Sequence, residues 1–266
     1  MAVEEPATCE LLRHGHLEIQ GRLVEASNAT LFCSVELDGV SGECVYKPVR
    51  GERPLWDFPD GTLAGREVSS YLLSEATGWN LIPPTLLRNG PFGPGMVQLW
   101  IDEVADEDAQ LVDITHPSEV REGWRQVLRA QDPDGDPVVL AHADHEQLRR
   151  LAVLDIVINN ADRKGGHILR APDGRVLGVD HGISLNTDDK LRTVLWGWIG
   201  EAVPEAELER LGEVRALMEG DLAEQLSEHL TIKEVQAVST RIDRLLDAGV
   251  FPEPSGDWPA IPWPAF

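Results

Sequence analysis

Apolar side chains alternate through much of the first hundred residues. In "HLEIQGRLVEA" (residues 16–26) and "TLFCSVEL" (residues 30–37) they recur at every second position, which predicts two half-buried strands. An Asp38-Gly39 turn follows, and "CVYKPV" (44–49) reads as a third strand in which Pro48 stops ladder pairing just after Lys47. The period then changes. In "TLAGREVSSYLLSEATG" (62–78), Leu63, Val68, Tyr71, Leu72 and Ala76 fall at roughly helical spacing, and Gly78 suits the helix end. "TLLRNGPFGPGMVQLWI" (85–101) predicts two short strands around a Gly/Pro turn.

The second part reads differently. "DEVADEDAQ" (102–110) has no core pattern and predicts a linker or the start of an acidic insertion reaching to about residue 144, with "QDPDGDP" (131–137) as a second loop. Helical patterns follow at 145–158, 204–218 and 231–249, with one short strand, "RVLGVD" (175–180). The Pro/Trp-rich tail, 249–266, is expected to lie extended over the body. No internal repeat is visible. Strands first and helices after predict an α+β chain in two lobes, a mainly antiparallel-sheet N-lobe (1–98) and a mostly helical C-lobe (99–266).

Composition narrows the setting. With 42% hydrophobic residues in 266, the chain can bury a core. The three cysteines form no CxxC pair, which fits a reducing cytoplasm. No apolar run has membrane-spanning length, and the first residues lack a signal peptide's pattern. A net charge of −23 repels phosphate backbones and anionic headgroups, so nucleic acid and stable membrane association are not expected.

The chemistry gathers in "LDIVINNADRKGGHIL" (154–169), where an apolar helical run meets an amide, an acid, two bases and an imidazole. Phosphoryl transfer needs a cation on the nucleotide phosphates, an acid to orient the attacking hydroxyl, and ligands for a divalent metal. Lys47, Glu67, Asp162 and Asp180 supply candidates in protein-kinase order, although no HRD, DFG or G-x-G-x-x-G motif is present. Taken singly, each has a plainer reading: Lys47 as an edge-strand charge, Glu67 as a solvated helix residue, Asp162 as a turn residue, His167 as a structural histidine. Asp155 reads as a buried structural acid bonded to the loop, His181 as a support for Asp180, Trp196 and Trp198 as core, and His14 and His16 as surface.

Together, "CVYKP", "REVSSYLLSEATGWNLIPPT", "LDIVINNADRKGGHIL" and "GVDHGISL" resemble the phosphoinositide 3/4-kinase superfamily. The likeness is to the type II phosphatidylinositol 4-kinases and the HipA kinases, and most of all to a family of uncharacterised bacterial phosphatidylinositol 3/4-kinase-like proteins. It spans about residues 20–190. The resemblance implies a bilobal protein-kinase-like fold that binds ATP with Mg²⁺ or Mn²⁺. Lys47 would contact the phosphates and Glu67 would pair with it. Ser27 and Thr30 would belong to a phosphate-covering turn. Gln98, Leu99 and Trp100 would lie in the adenine hinge "MVQLW". Asp162 would be the catalytic acid, Arg163 would brace its loop, and Asp180 would hold the metal.

His167 stands where the family has a metal-binding asparagine, and Lys164 where larger relatives have histidine. An imidazole ligand predicts preference for Mn²⁺ over Mg²⁺, with affinity falling as pH drops through about 6 to 7. The stretch after Asp180 lacks a polybasic segment of the kind that recruits anionic lipid. A protein hydroxyl or a soluble small molecule is therefore the expected phosphoacceptor. A nucleotide-binding pseudokinase and an AMP-transferring enzyme are the alternatives.

Overall fold

The computed structural model describes residues 5–23, 29–104 and 110–266. Five strands form one antiparallel sheet in the order β1-β2-β3-β5-β4: β1 (His16–Arg22), β2 (Leu31–Leu37), β3 (Val40–Pro48), β4 (Thr85–Gly90) and β5 (Gly93–Leu99). The β2–β3 hairpin turns at Asp38 and Gly39, both at positive φ (50° and 81°), as its Asp-Gly signal predicts. Alternation decides what each face meets. Cys33, Val35, Cys44, Tyr46 and Val97 bury one face against Leu11 and Leu12 of α1 (Glu5–His14). α1 is not anticipated in the sequence reading. On the other face, Met96 packs with Ala64 and Val68 of α2 (Leu63–Thr77).

α2 lies where its spacing predicts. The Thr62 hydroxyl accepts from Gly65 N, Gly78 closes the helix at φ 66°, and the Glu52 carboxylate accepts from Leu63 N and Ala64 N. Its Arg66, almost fully buried, donates to Ser184 O and pairs with Glu234. Glu234 also closes the capping box that begins α6 (Ile232–Ala248). The helix carrying Glu67 is thus tied to the far lobe.

That lobe is built on α3 (Glu146–Ile158), the β9–β10 hairpin (Ile168–Arg170, Val176–Gly178), α4 (Glu205–Leu217), α5 (Asp221–Ser227) and α6, around one continuous apolar core. Trp198 is buried in it, and Trp196 is buried outside it, against the tail. The architecture is a bilobal α+β fold, with a largely antiparallel first lobe and a mostly helical second. One departure stands out. The acidic region does not continue as loop: β6 (Val112–Thr115), β7 (Trp124–Gln131) and β8 (Pro137–Ala143) form a three-stranded sheet in the order β6-β8-β7. β7 is mostly exposed and its register shifts between Gln126 and Leu128, which erases the alternation that would reveal it. "QDPDGDP" is its turn to β8, where Asp132 Oδ1 accepts from Asp134 N and Asp136 N.

The tail runs along the second lobe as irregular chain bent at several points. Ala260 O accepts from Thr193 N and Trp196 Nε1, and Ala265 O accepts from Gly165 N. The Phe266 ring lies so close over Gly165 that a Cβ there would sit 2.2 Å from it.

Candidate active site

The loop after α3 is shaped by its amides. Asn159 takes a left-handed backbone (φ 52°), which Asn tolerates better than most residues, and so ends the helix. Asn160 Nδ2 then donates to Asp155 Oδ1 (3.0 Å), and Asn160 Oδ1 accepts from Asp162 N (2.9 Å). Asp162 is therefore presented by a turn fixed at both ends.

Beneath it, Arg163 and Asp155, both fully buried, form a two-pronged ion pair: Nε to Oδ2 and Nη2 to Oδ1, each 2.9 Å. Arg163 Nη1 also donates to His167 O and Val179 O, and Nη2 donates to His181 Nε2. One guanidinium thus links α3, the loop and the end of β10. Gly178 makes room for it, since a Cβ there would stand 2.9 Å from Arg163 Nη2. Arg163 lies under the site rather than in its wall.

Between the lobes opens a cavity of about 830 Å³. Lys47 of β3 lines it, its Nζ 2.7 Å from Glu67 Oε1 and 2.8 Å from Asp180 Oδ1. Glu67 is 2% exposed, and its second oxygen accepts from His181 N at 2.9 Å. Burial alone would lower the lysine; the Asp180 and Glu67 carboxylates outweigh it and hold the ammonium above the ordinary lysine value. Burial pushes the Glu67 carboxyl up against the pull of Lys47, whereas Lys47 holds Asp180 well below the carboxylate range. The Asp180 side chain is half open to the cavity, so water screens part of that attraction.

Asp162, Lys164 and His167 also line the cavity. Burial raises the Asp162 carboxyl, with Lys164 Nζ (3.4 Å) opposing. His167 Nδ1 is bonded to Asp162 O (3.0 Å), and its Nε2 faces Asp180 Oδ2 at 3.5 Å. The carbonyl fixes the proton on Nδ1 and leaves the Nε2 lone pair toward the cavity. Burial pulls His167 down to about 4, with Asp180 pulling the other way. The ring therefore stays neutral well below the pH range of 6 to 7 expected from an ordinary histidine. Among the described residues no three His, Cys, Asp or Glu side chains converge as a metal cage. A divalent ion carried on nucleotide phosphates needs fewer protein donors, and the Asp180 carboxylate with a neutral His167 Nε2 fits that demand.

Of the remaining predicted residues, Thr30, Gln98, Leu99 and Trp100 line the same cavity. Thr30 is buried in its wall, while Ser27 lies outside the described residues. Gln98, Leu99 and Trp100 line the sheet side, with Gln98 Nε2 donating to Thr85 Oγ1. The amides of Leu99 and Trp100 already donate to Pro84 O and Glu43 O. Hydrogen bonds from these two amides to a base are thus closed off, and residues 101–103, also in the wall, stand next along the chain. Glu52 and Glu103 also line the cavity and carry no signal in the sequence, whereas Lys164 belongs to the loop motif. Glu52 lay between motifs, in a stretch with no periodicity to mark it.

A comparison with Protein Rv2133c of Mycobacterium tuberculosis gives 51% identity over 263 residues, covering 96% of this chain and 94% of the relative. The chain belongs to the Rv2133c family. No broader family model matches it. Solved structures align loosely with this Rv2133c relative. A Helicobacter pylori proinflammatory kinase, CtkA, aligns over 90% of this chain and 94% of its own at 10% identity and a TM-score of 0.45. HipA of Shewanella oneidensis, from a complex with HipB and operator DNA, aligns over 87% of this chain and 65% of its own at 12% identity and a TM-score of 0.37. At these scores neither alignment bears on the chemistry, which rests on this chain's own geometry.

Proposed function

We propose that the chain is an ATP-dependent phosphotransferase of atypical kinase type, related to the phosphatidylinositol 3/4-kinases. The observation that carries this reading is Lys47 held between Glu67 and Asp180 in an interlobe cavity that Asp162 and His167 also line. Lys47 is the contact for the phosphates and Glu67 keeps its ammonium in place. Asp180 and His167 Nε2 would hold a divalent cation, which when bound supplies charge neutralisation on those phosphates. Adenine lies against Leu99 and Trp100, and its backbone hydrogen bonds fall to residues 101–103. Asp162 accepts the proton of the acceptor hydroxyl as that oxygen bonds to the γ-phosphorus and ADP leaves. Arg163 acts through the loop and touches neither reactant.

The acceptor is a protein hydroxyl or a soluble small molecule, as the charge of −23 suits neither anionic lipid nor nucleic acid. His167 in the metal position favours a second reading, a nucleotide-binding module with slow turnover. ATP binding followed by calorimetry tests both. Lys47→Met should weaken binding about tenfold or more while the chain still unfolds cooperatively. Unchanged affinity would remove Lys47 from the site.

A further inference from the structure

A second cavity, about 340 Å³, shares no lining residue with the cleft. Its wall is mostly apolar: Ile156 of α3, Leu191, Trp196, Leu245 of α6 and Pro252 of the tail. Arg241 of α6 also lines it, although the residue is only 6% exposed. Arg241 Nε donates to Val157 O (2.8 Å) and Nη1 to Asn186 O (3.1 Å). Nη2 is buried, and among the described residues no acceptor reaches it.

Every acceptor named for this guanidinium is a neutral carbonyl. A buried cation with an unused donor beside an apolar cavity calls for a counter-charge. Burial pulls Arg241 down to about 10, with Asp189 pulling the other way, as befits a cation not fully compensated. The other charged groups do not supply the deficit. Glu234, the buried carboxylate that also acts on Arg241, is taken by Arg66; Asp189 Oδ2 is taken by Arg244 at 2.8 Å, on an exposed pair; and Glu253 is an exposed tail residue. The volume lies in the range of small-ligand sites, whose walls are apolar with a few placed polar groups.

We propose that this cavity binds a small anionic amphiphile, a medium-chain carboxylate whose anion meets Arg241 and whose apolar body fills the space between α3, α6 and the tail. The net charge of −23 works against any anion at long range, but salt screens it beyond about 8 Å, and the local contact is with an unneutralised guanidinium. The site is independent of the nucleotide reading, since its test needs no ATP.

The test titrates the whole chain with octanoate and with octan-1-ol at neutral pH, by calorimetry. Octanoate should bind saturably and at least tenfold more tightly than the alcohol. Ala248 lines the cavity from the exposed end of α6, so Ala248→Trp should fill it without disturbing the core and should abolish octanoate binding. In Arg241→Gln, if it folds, octanoate and octan-1-ol should bind alike. Where that variant does not fold, Ala248→Trp decides. Absence of saturable octanoate binding, equal affinity for the alcohol in the parent, or undiminished binding in Ala248→Trp would each overturn the proposal.

Discussion

His167 Nε2 stands 3.5 Å from the Asp180 carboxylate while its other nitrogen is bound to Asp162 O. A neutral imidazole lone pair facing a carboxylate is an arrangement that a cation between them would stabilise. Imidazole suits Mn²⁺ better than the hard, water-retaining Mg²⁺. His167→Asn should therefore shift the ratio of Mn²⁺- to Mg²⁺-supported ATP affinity toward Mg²⁺ by about tenfold. Parallel titrations of parent and variant with both metals check this. Identical ratios would return His167 to a structural role.

Asp155 and Arg163 make the most buried ion pair near the site. Removing one partner strands a charge in the interior, which costs about 3–5 kcal/mol. Asp155→Ala should lower stability by that order in urea unfolding and loosen the Asp162 turn, because Asn160 loses its acceptor as well. A loss under about 1 kcal/mol would mean that the pair matters little.

Periodicity made most of the first lobe legible. The Asp-Gly hairpin, the helix from Leu63 and the strand pair after Thr85 all stand where alternation and capping signals put them. The cavity residues were legible for a different reason: four short motifs in order, which the fold brings to one cleft. Asp155 is buried and bonded to the loop, as an acid within an apolar helical run suggests, whereas His181, expected to support Asp180, bonds Glu67 through its amide and Arg163 through its ring. What was hidden lacked a local signal. β7 is exposed and bulged, so its side chains obey no period. The Arg66–Glu234 pair joins residues far apart in sequence, and no local pattern links them. The tail's hold on Gly165 runs through a carbonyl, which no side-chain pattern can show.

His142 gives a pH prediction. The ring is fully buried, accepts from Gly197 N through Nε2 and packs 4.3 Å from Trp198. Burial lowers it to about 4. The unfolded chain therefore takes up a proton near pH 6.5 that the folded chain refuses until about 4. Its contribution is full above about 6.5 and is lost progressively down to about 4, to a total of about 3 kcal/mol. Other buried histidines shift the same way, so the diagnostic quantity is the difference from His142→Gln. Urea midpoints across pH 4 to 7 should fall less steeply in that variant; equal slopes would contradict the assignment.

No helix among the described residues is long and apolar enough to cross a membrane, and the charge is −23. Vesicles containing phosphatidylinositol phosphates should not sediment the chain at physiological salt. Co-sedimentation would revive a lipid headgroup as acceptor.

The proposed reaction is phosphoryl transfer at Asp162. Its most direct measurement follows ATP labelled at the γ or the α phosphate, with Mn²⁺ present, in the parent and in Asp162→Ala. The account predicts release or transfer of the γ label alone in the parent. In Asp162→Ala it predicts a loss of about a hundredfold or more, with ATP affinity within about twofold of the parent. Transfer of the α label, or equal γ turnover in the two proteins, would contradict it.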